Sequence, residues 1–294
     1  MSYTLAINSS NVVGSNNNTF QYNFITGAFN AKDCELAIAA LSYPNSFYNV
    51  STLYNNKTIS ITFPYLATTT TLNIVLPDGF YLVSDINNYI QLQMINAGLY
   101  LVSSSGQYVY FFNVAYNPNY YQNHVLLSLV PSTVSSGAYS GYTRPATGFW
   151  SSVAGNGLPT TPSTPSMTFA SSGSVSTLLG FATGTYPSST SASQSINGTL
   201  TPIGATVNAL ICRCNLLSNP ITMPSDILDL IPINNYFGSN ITYNPSFPRY
   251  IPIRDGTYSS MTITFQDQNF NTLYARDPNI SLSLLIRKRP KLLE

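Results

Sequence analysis

Acid–base or nucleophilic chemistry needs a group that titrates near neutral pH beside a nucleophile, and this chain of 294 residues holds a single histidine, His124. His124 precedes the strand-like run 125–130, and a polar residue at a strand end is the plainer reading. Three cysteines, Cys34, Cys212 and Cys214, cannot form a fully paired disulfide framework. Cys212 and Cys214, two apart in an extended run, point to one face without being placed to bond to each other. With one distant histidine and one distant cysteine they also lack the paired spacing of a zinc site, so buried free thiols in a reducing compartment are expected. Asp226 and Asp229 come nearest to a carboxylate pair, yet Pro224-Ser225-Asp226-Ile227-Leu228-Asp229 reads as a capped short turn of helix. Neither a GxGxxG nor a P-loop sequence is present. No catalytic residue, metal ligand or cofactor-binding residue is assigned, and an enzyme is not expected.

Charge is scarce throughout. Asp, Glu, Lys and Arg make up 7% of the chain against roughly 25% in ordinary soluble domains. The net charge is +1, and 22 residues are tyrosine. A dispersed monomer relies on a charged surface, so a surface this poor in charge suits burial against other protein. Hydrophobic residues reach 44% and mean hydropathy is +0.07, enough for a sizeable core. No stretch approaches the roughly 20 apolar residues of a spanning helix, and the best apolar runs, such as 36–41 and 282–286, are strand-sized, so no membrane span is expected. Met1-Ser-Tyr-Thr-Leu-Ala-Ile-Asn8 has neither a basic leader nor a long apolar region, which argues against a secretory signal.

The elements that would position these residues are mostly strands. Residues 19–24 alternate Phe20, Tyr22 and Phe24 with Thr19, Gln21 and Asn23, the period of a half-buried strand. Residues 34–42 are nearly all apolar, as in a strand covered on both faces. Residues 57–63 and 72–76 alternate again before the turn Pro77-Asp78-Gly79. One helix is predicted over about 85–97. Ser84 is placed to cap it, Asp85 suits the positive end of its dipole, Ile86, Tyr89, Ile90 and Met94 form one stripe, and Gly98 closes it. Further strands are predicted over 107–115, 122–130, 207–217, 259–265 and 280–286, the last two as a hairpin. Many short strands, one short helix and long polar loops indicate an all-β fold, and a single jelly-roll sandwich of about eight strands fits best.

From 131 to 204 the composition shifts to Ser, Thr, Gly and Pro, with one charge, Arg144, and the only tryptophan, Trp150. Anchors at Phe149, Trp150, Phe169, Leu178, Phe181 and Tyr186 mark an ordered, loop-rich inserted subdomain rather than a linker. The expected organisation is a first part of the jelly roll over 1–130, the insertion over 131–204, and the remainder with a basic C-terminal tail over 205–294. The alternative places part of 57–121 in the outward subdomain. Phe149 and Trp150 are read as an exposed attachment loop, able to stack on a sugar or meet a receptor. Arg287, Lys288, Arg289 and Lys291 form the one charge cluster, read as solvation of a terminus or as a tail facing nucleic acid. Only Arg144 is charged between Ile86 and Ile211, so that stretch is expected to supply subunit contact surface, with assembly weakly sensitive to salt.

The run Leu36-Ala-Ile-Ala-Ala-Leu-Ser-Tyr-Pro-Asn-Ser-Phe-Tyr-Asn-Val50, with Tyr54-Asn-Asn56 and the strand after it, resembles the penton (minor capsid) proteins of virophages and polinton-like viruses. In those proteins an apolar strand runs into a Ser/aromatic/Asn corner and an Asn-Asn turn. Leu76-Pro-Asp-Gly-Phe-Tyr81, Leu178-Leu-Gly-Phe181, Val207-Asn208 leading to Cys214-Asn215-Leu216, and Phe265-Gln-Asp-Gln268 extend the resemblance in the same order. It covers most of the chain outside 131–176. The resemblance implies a single jelly roll, assembled as a homopentamer that plugs the fivefold vertices of an icosahedral capsid built mainly of double-jelly-roll major capsid protein. It further implies a virion location, synthesis in the host cytoplasm or virus factory, and as partners the chain itself, the major capsid protein, packaged nucleic acid at the tail, and a vertex fibre or host receptor. No catalytic residue and no cofactor is implied. Phe47, Tyr48, Asn49 and Tyr54 are then a corner anchor, closing the sandwich inside one subunit or joining subunits. The competing class is a jelly-roll binding module, a carbohydrate- or receptor-binding attachment head. Glycan binding by the isolated protein would favour it, and a mass near five subunits without such binding would favour the capsid protein.

Overall fold

Alternating apolar and polar residues, broken by Gly, Pro and Asn turns, make strands along the whole chain; the computed structural model describes residues 2–25 and 27–290. Up to Phe47 the longer elements are β1 (Ser2–Asn8), β2 (Thr19–Asn23) and β3 (Cys34–Pro44). Then follow β4 (Asn56–Tyr65), β5 (Thr68–Val75), α1 (Val83–Ala97), β6 (Phe112–Asn117), β7 (Gln122–Leu127), β8 (Ser166–Phe169), α2 (Ser176–Leu179), β9 (Gly184–Tyr186) and β10 (Gln194–Asn197). The last five strands are β11 (Ala209–Cys214), β12 (Ile227–Pro232), β13 (Asn240–Tyr243), β14 (Ser260–Asp267) and β15 (Ser281–Lys288). They form two units, Met1–Phe47 with Ala205–Glu294, and Tyr48–Gly204.

In the first unit β1, β15, β3 and β13 lie side by side in one antiparallel sheet, and β12, β11, β14 and β2 in another. Apart from β11 to β12, every step along the chain passes from one sheet to the other, which is the connectivity of a jelly roll. Alternation decides what faces inward. β14 buries Met261, Ile263 and Phe265 and β15 buries Leu282, Leu284 and Ile286, in one core with Phe20, Leu36 and Ile38. Each such side chain contributes about 1.5–3 kcal/mol by leaving water. Cys34, Cys212 and Cys214 are buried there as free thiols, and burial pushes Cys214 up to about 12.

In the second unit β5, β4, β8 and β9 make one sheet and β10, β7 and β6 another, with α1 buried along Ile86, Ile90 and Met94. The helix begins at Val83 rather than after Ser84, because the Asp85 carboxylate accepts the Leu82 N–H at 2.8 Å and supplies the cap. At its other end Gly98 (φ 65°) closes α1 and meets Gly148 so closely that a Cβ on either would run into the other's backbone. That contact carries Phe149 N–H to the Ala97 carbonyl (2.9 Å) and Trp150 N–H to the Gly98 carbonyl (3.0 Å).

Four sequence expectations need correction. The insertion begins at Tyr48, not at 131: residues 57–130 alternate like jelly-roll strands, but β4 to β7 pair only within the second unit. β14 and β15 are not a hairpin, since they belong to opposite sheets. The expected turn of helix at 224–229 runs instead into β12, paired with β11. The predicted strand 107–115 is split between the short Tyr108–Val109 and β6.

One buried side chain ties the beginning of the second unit to its end. Asn49 Nδ2 donates to the carbonyls of Tyr81 and Gly204, both at 2.8 Å, and its Oδ1 accepts the Tyr81 N–H at 2.8 Å. Asn49→Ala removes three hydrogen bonds made by a buried side chain, so we expect a loss of about 2–4 kcal/mol in chemical denaturation. A cost below that of an exposed substitution would mean that this clamp does not hold in solution.

Candidate functional site

Four large apolar side chains of the first unit, Ile25, Ile221, Met223 and Phe247, are each at least 86% exposed. Strand register gathers three of them. Asn23 pairs with Ser260, Cys214 with Ile263, and Arg213 with Ile227. The end of β2 and the β11–β12 loop, which carry Ile25, Ile221 and Met223, therefore share one end of the sandwich, whereas Phe247 lies between Tyr243, paired with Leu41 of β3, and Ile251, paired with Leu36. Pro220, Pro224 and Pro248 flank Ile221, Met223 and Phe247, which limits the conformational freedom lost when such loops are covered. Single exposed apolar residues are ordinary, whereas several on one end mark a surface made to meet another molecule.

The basic tail borders the same end, where β15 finishes beside the start of β3, and it is the last strand of the sandwich rather than a loose arm. Arg287 Nε bonds Glu35 at 2.5 Å and its guanidinium lies 3.4 Å over the Tyr250 ring. Lys288 Nζ donates to the Lys32 carbonyl, and Arg289 donates to the carbonyls of Ile253 (3.1 Å) and Cys34 (3.4 Å). Lys291 lies outside the described residues.

The two aspartates have different partners. Arg213 grips Asp226 through Nε and a terminal nitrogen at 3.0 and 2.8 Å, while Asp229, buried, accepts the Tyr243 hydroxyl at 2.6 Å and Arg249 at 3.3 Å. Desolvation, then the hydrogen bond to Asp229 and its charge, push the Tyr243 phenol up to about 12. A free phenol titrates near ~10. The folded state therefore holds this proton more tightly, and the resulting stabilisation is complete below about pH 10 and lost as pH rises through the folded value. We expect the tyrosinate absorbance that Tyr243→Phe removes to titrate near 12; a difference centred on the free-phenol value would refute the Asp229 bond.

The corner residues fall in different units. Phe47 stacks on Tyr43 in the sandwich core, with ring centroids 5.9 Å apart. Tyr48, half-buried, opens the second unit, Asn49 clamps it, and Tyr54 stands on its surface with its N–H on the Ser51 hydroxyl. Trp150 corrects an expectation. It is fully buried, edge to face with Phe63 and Phe111, and its indole N–H donates to the Pro64 carbonyl at 2.9 Å, so it is no attachment loop. Phe149 is half-buried against Tyr65. His124 is half-buried on β7 between β6 and β10. Among the described residues no group of three His, Cys, Asp or Glu could hold a metal ion, and no helix is long and apolar enough to cross a membrane.

The second unit has only four charged residues, Lys57, Asp78, Asp85 and Arg144. Lys57 pairs with Asp78 at 2.7 Å, Asp85 caps α1, and Arg144 Nε donates to the Trp150 carbonyl at 2.6 Å, its pKa lowered by burial. Each of the four is bonded within the unit, and only Asp85 among them is exposed, so charge on the surface of the unit is sparse. Most of the charge-poor stretch between Ile86 and Ile211 falls inside this unit, which the sequence does not reveal.

Together these features define a single jelly roll with an almost uncharged insertion between its third and fourth strands and an apolar patch at one end. Among solved structures, the chain is similar to the mavirus penton protein, at 9% identity over 98% of this chain and 100% of that one, with a TM-score of 0.44. It is also similar to a chain of the Sputnik virophage, at 12% identity over 98% of each, with a TM-score of 0.41. No protein-family model and no curated protein matches the chain.

Proposed function

We propose that the protein is a capsid protein, the homopentameric penton at the fivefold vertices of an icosahedral virion, in contact with itself and with a double-jelly-roll major capsid protein. The observation that carries this reading is the apolar end of the sandwich, where Ile25, Ile221 and Met223 have no cover in the single chain. A ring needs heterologous contacts, one surface of a subunit against a different surface of the next. Exposed apolar side chains grouped in this way have the character of an interface core. The jelly-roll connectivity and the resemblance of 36–56 to penton sequences support the same reading. In it the role is structural rather than catalytic, and Tyr48 and Tyr54 are candidates for the intersubunit side of the corner.

Native mass measurement tests the proposal. Particles of five subunits are expected. A protein that stays monomeric at every concentration reached, alone and with the major capsid protein, or that closes with another stoichiometry, overturns it.

A further inference from the structure

A groove with no charged residue in its lining points to a ligand of the second unit's own, independent of the capsid reading. Between the start of α1 and β6 runs an open groove of about 490 Å³, within the roughly 300–1,000 Å³ of small-ligand sites. Ser84, Asn88, Asn113 and Tyr116 line it, and no Asp, Glu, Lys or Arg does. Among the described residues, the side chains of Ser84, Asn88 and Asn113 make no hydrogen bond within the protein. Asn87 does: its Oδ1 accepts the Val114 N–H at 2.8 Å and pins the helix to the strand, so the two walls keep their spacing. Tyr116 continues the groove onto the β6–β7 hairpin, where it meets Tyr121 edge to face at 6.4 Å; the rings are 46% and 65% exposed.

The chemistry selects a class of ligand. A primary amide offers a donor and an acceptor side by side, which suits neighbouring hydroxyl groups. An exposed tyrosine ring offers a flat apolar face at small entropic cost. With no cation on the walls, a phosphate, sulfate or carboxylate would lose its hydration without an opposite charge to replace it. We propose that this groove binds the end of a neutral glycan, one pyranose face on Tyr116 and its hydroxyls on Asn88 and Asn113. The aromatic contact expected at Phe149 and Trp150 is thereby moved to a ring that is accessible.

The test presents the full-length protein with neutral, sialylated and sulfated glycans, then titrates the best neutral oligosaccharide against variants. Neutral glycans should bind in preference, and Tyr116→Ala and Asn88→Ala should each weaken binding about tenfold or more. Tyr116→Phe should change it little, since the ring face remains. Asn88 is exposed on α1, where alanine favours the helix, so that variant stays informative if Tyr116→Ala disturbs the hairpin. Preference for acidic glycans, absence of binding to any neutral glycan, or affinity unchanged in both variants overturns the proposal. Subunit mass is measured alongside, so failure here and failure of the capsid reading are separate results.

Discussion

Met223→Asp is expected to abolish assembly while leaving the subunit folded. Met223 is 95% exposed in the single chain, so the substitution should shift its stability by no more than about 0.5 kcal/mol. Covered by a neighbour, the carboxylate would be desolvated against apolar groups without a cation, at a cost of about 2 kcal/mol or more for each contact. That is roughly a thirtyfold weakening per contact, and a closed ring repeats it at every contact. Sedimentation should show monomer where the unaltered protein is assembled, with unchanged circular dichroism and melting. Met223→Leu should assemble normally. Intact rings from both Met223→Asp and Ile221→Asp would remove this end of the sandwich from the interface.

Trp150→Ala should be the most damaging single change in the second unit. The side chain fills the space between Phe63 and Phe111, and removing a buried ring of this size costs about 3–5 kcal/mol. The Pro64 carbonyl also loses its donor, adding about 1–3 kcal/mol if no water replaces it. Together these approach the whole stability of an ordinary domain, about 5–15 kcal/mol. Trp150→Phe should recover part of the packing but not the hydrogen bond. Denaturation followed by circular dichroism measures both, and a cost under about 1 kcal/mol for the alanine variant would contradict the burial. Because Trp150 is the only tryptophan, fluorescence of the unaltered protein reports on the second unit alone.

Strands with clean alternation were legible in the sequence. β2, β14 and β15 lie within a residue or two of their expected bounds, because the period of apolar residues is the period of burial. β13 was not legible: four residues with one buried side chain, Ile241, carry no period to read. β12 was hidden by Pro224-Ser225-Asp226, which looks like a helix start, whereas Asp226 faces Arg213 from the strand's approach. The insertion boundary was misplaced for a physical reason. Composition follows loops, and the Ser/Thr/Gly/Pro shift at 131 marks where loops lengthen, while the unit itself starts with strands made like any others. Trp150 was misread on the same ground, since it sits in a stretch rich in Ser, Thr and Gly while its neighbours in space include the buried rings of Phe63 and Phe111. The apolar end of the sandwich was out of reach, because Ile25 comes to the same end as Ile221 and Met223 only through strand register.

The Asn49 clamp bears on how the chain folds. Before the insertion is ordered, β3 and β11 are joined by the whole stretch Tyr48–Gly204 as a flexible tether. Once Asn49 has caught Tyr81 and Gly204, the same connection has the reach of a tight turn. The difference in closure entropy is roughly 3 kcal/mol, comparable to one disulfide across a short loop. An inserted unit that folds first thus works as a crosslink without a covalent bond, and late strands β11 to β15 find β3 already presented. Loosening the clamp should slow sandwich formation more than it speeds its loss, a signature that separates a kinetic staple from an ordinary stabilising contact.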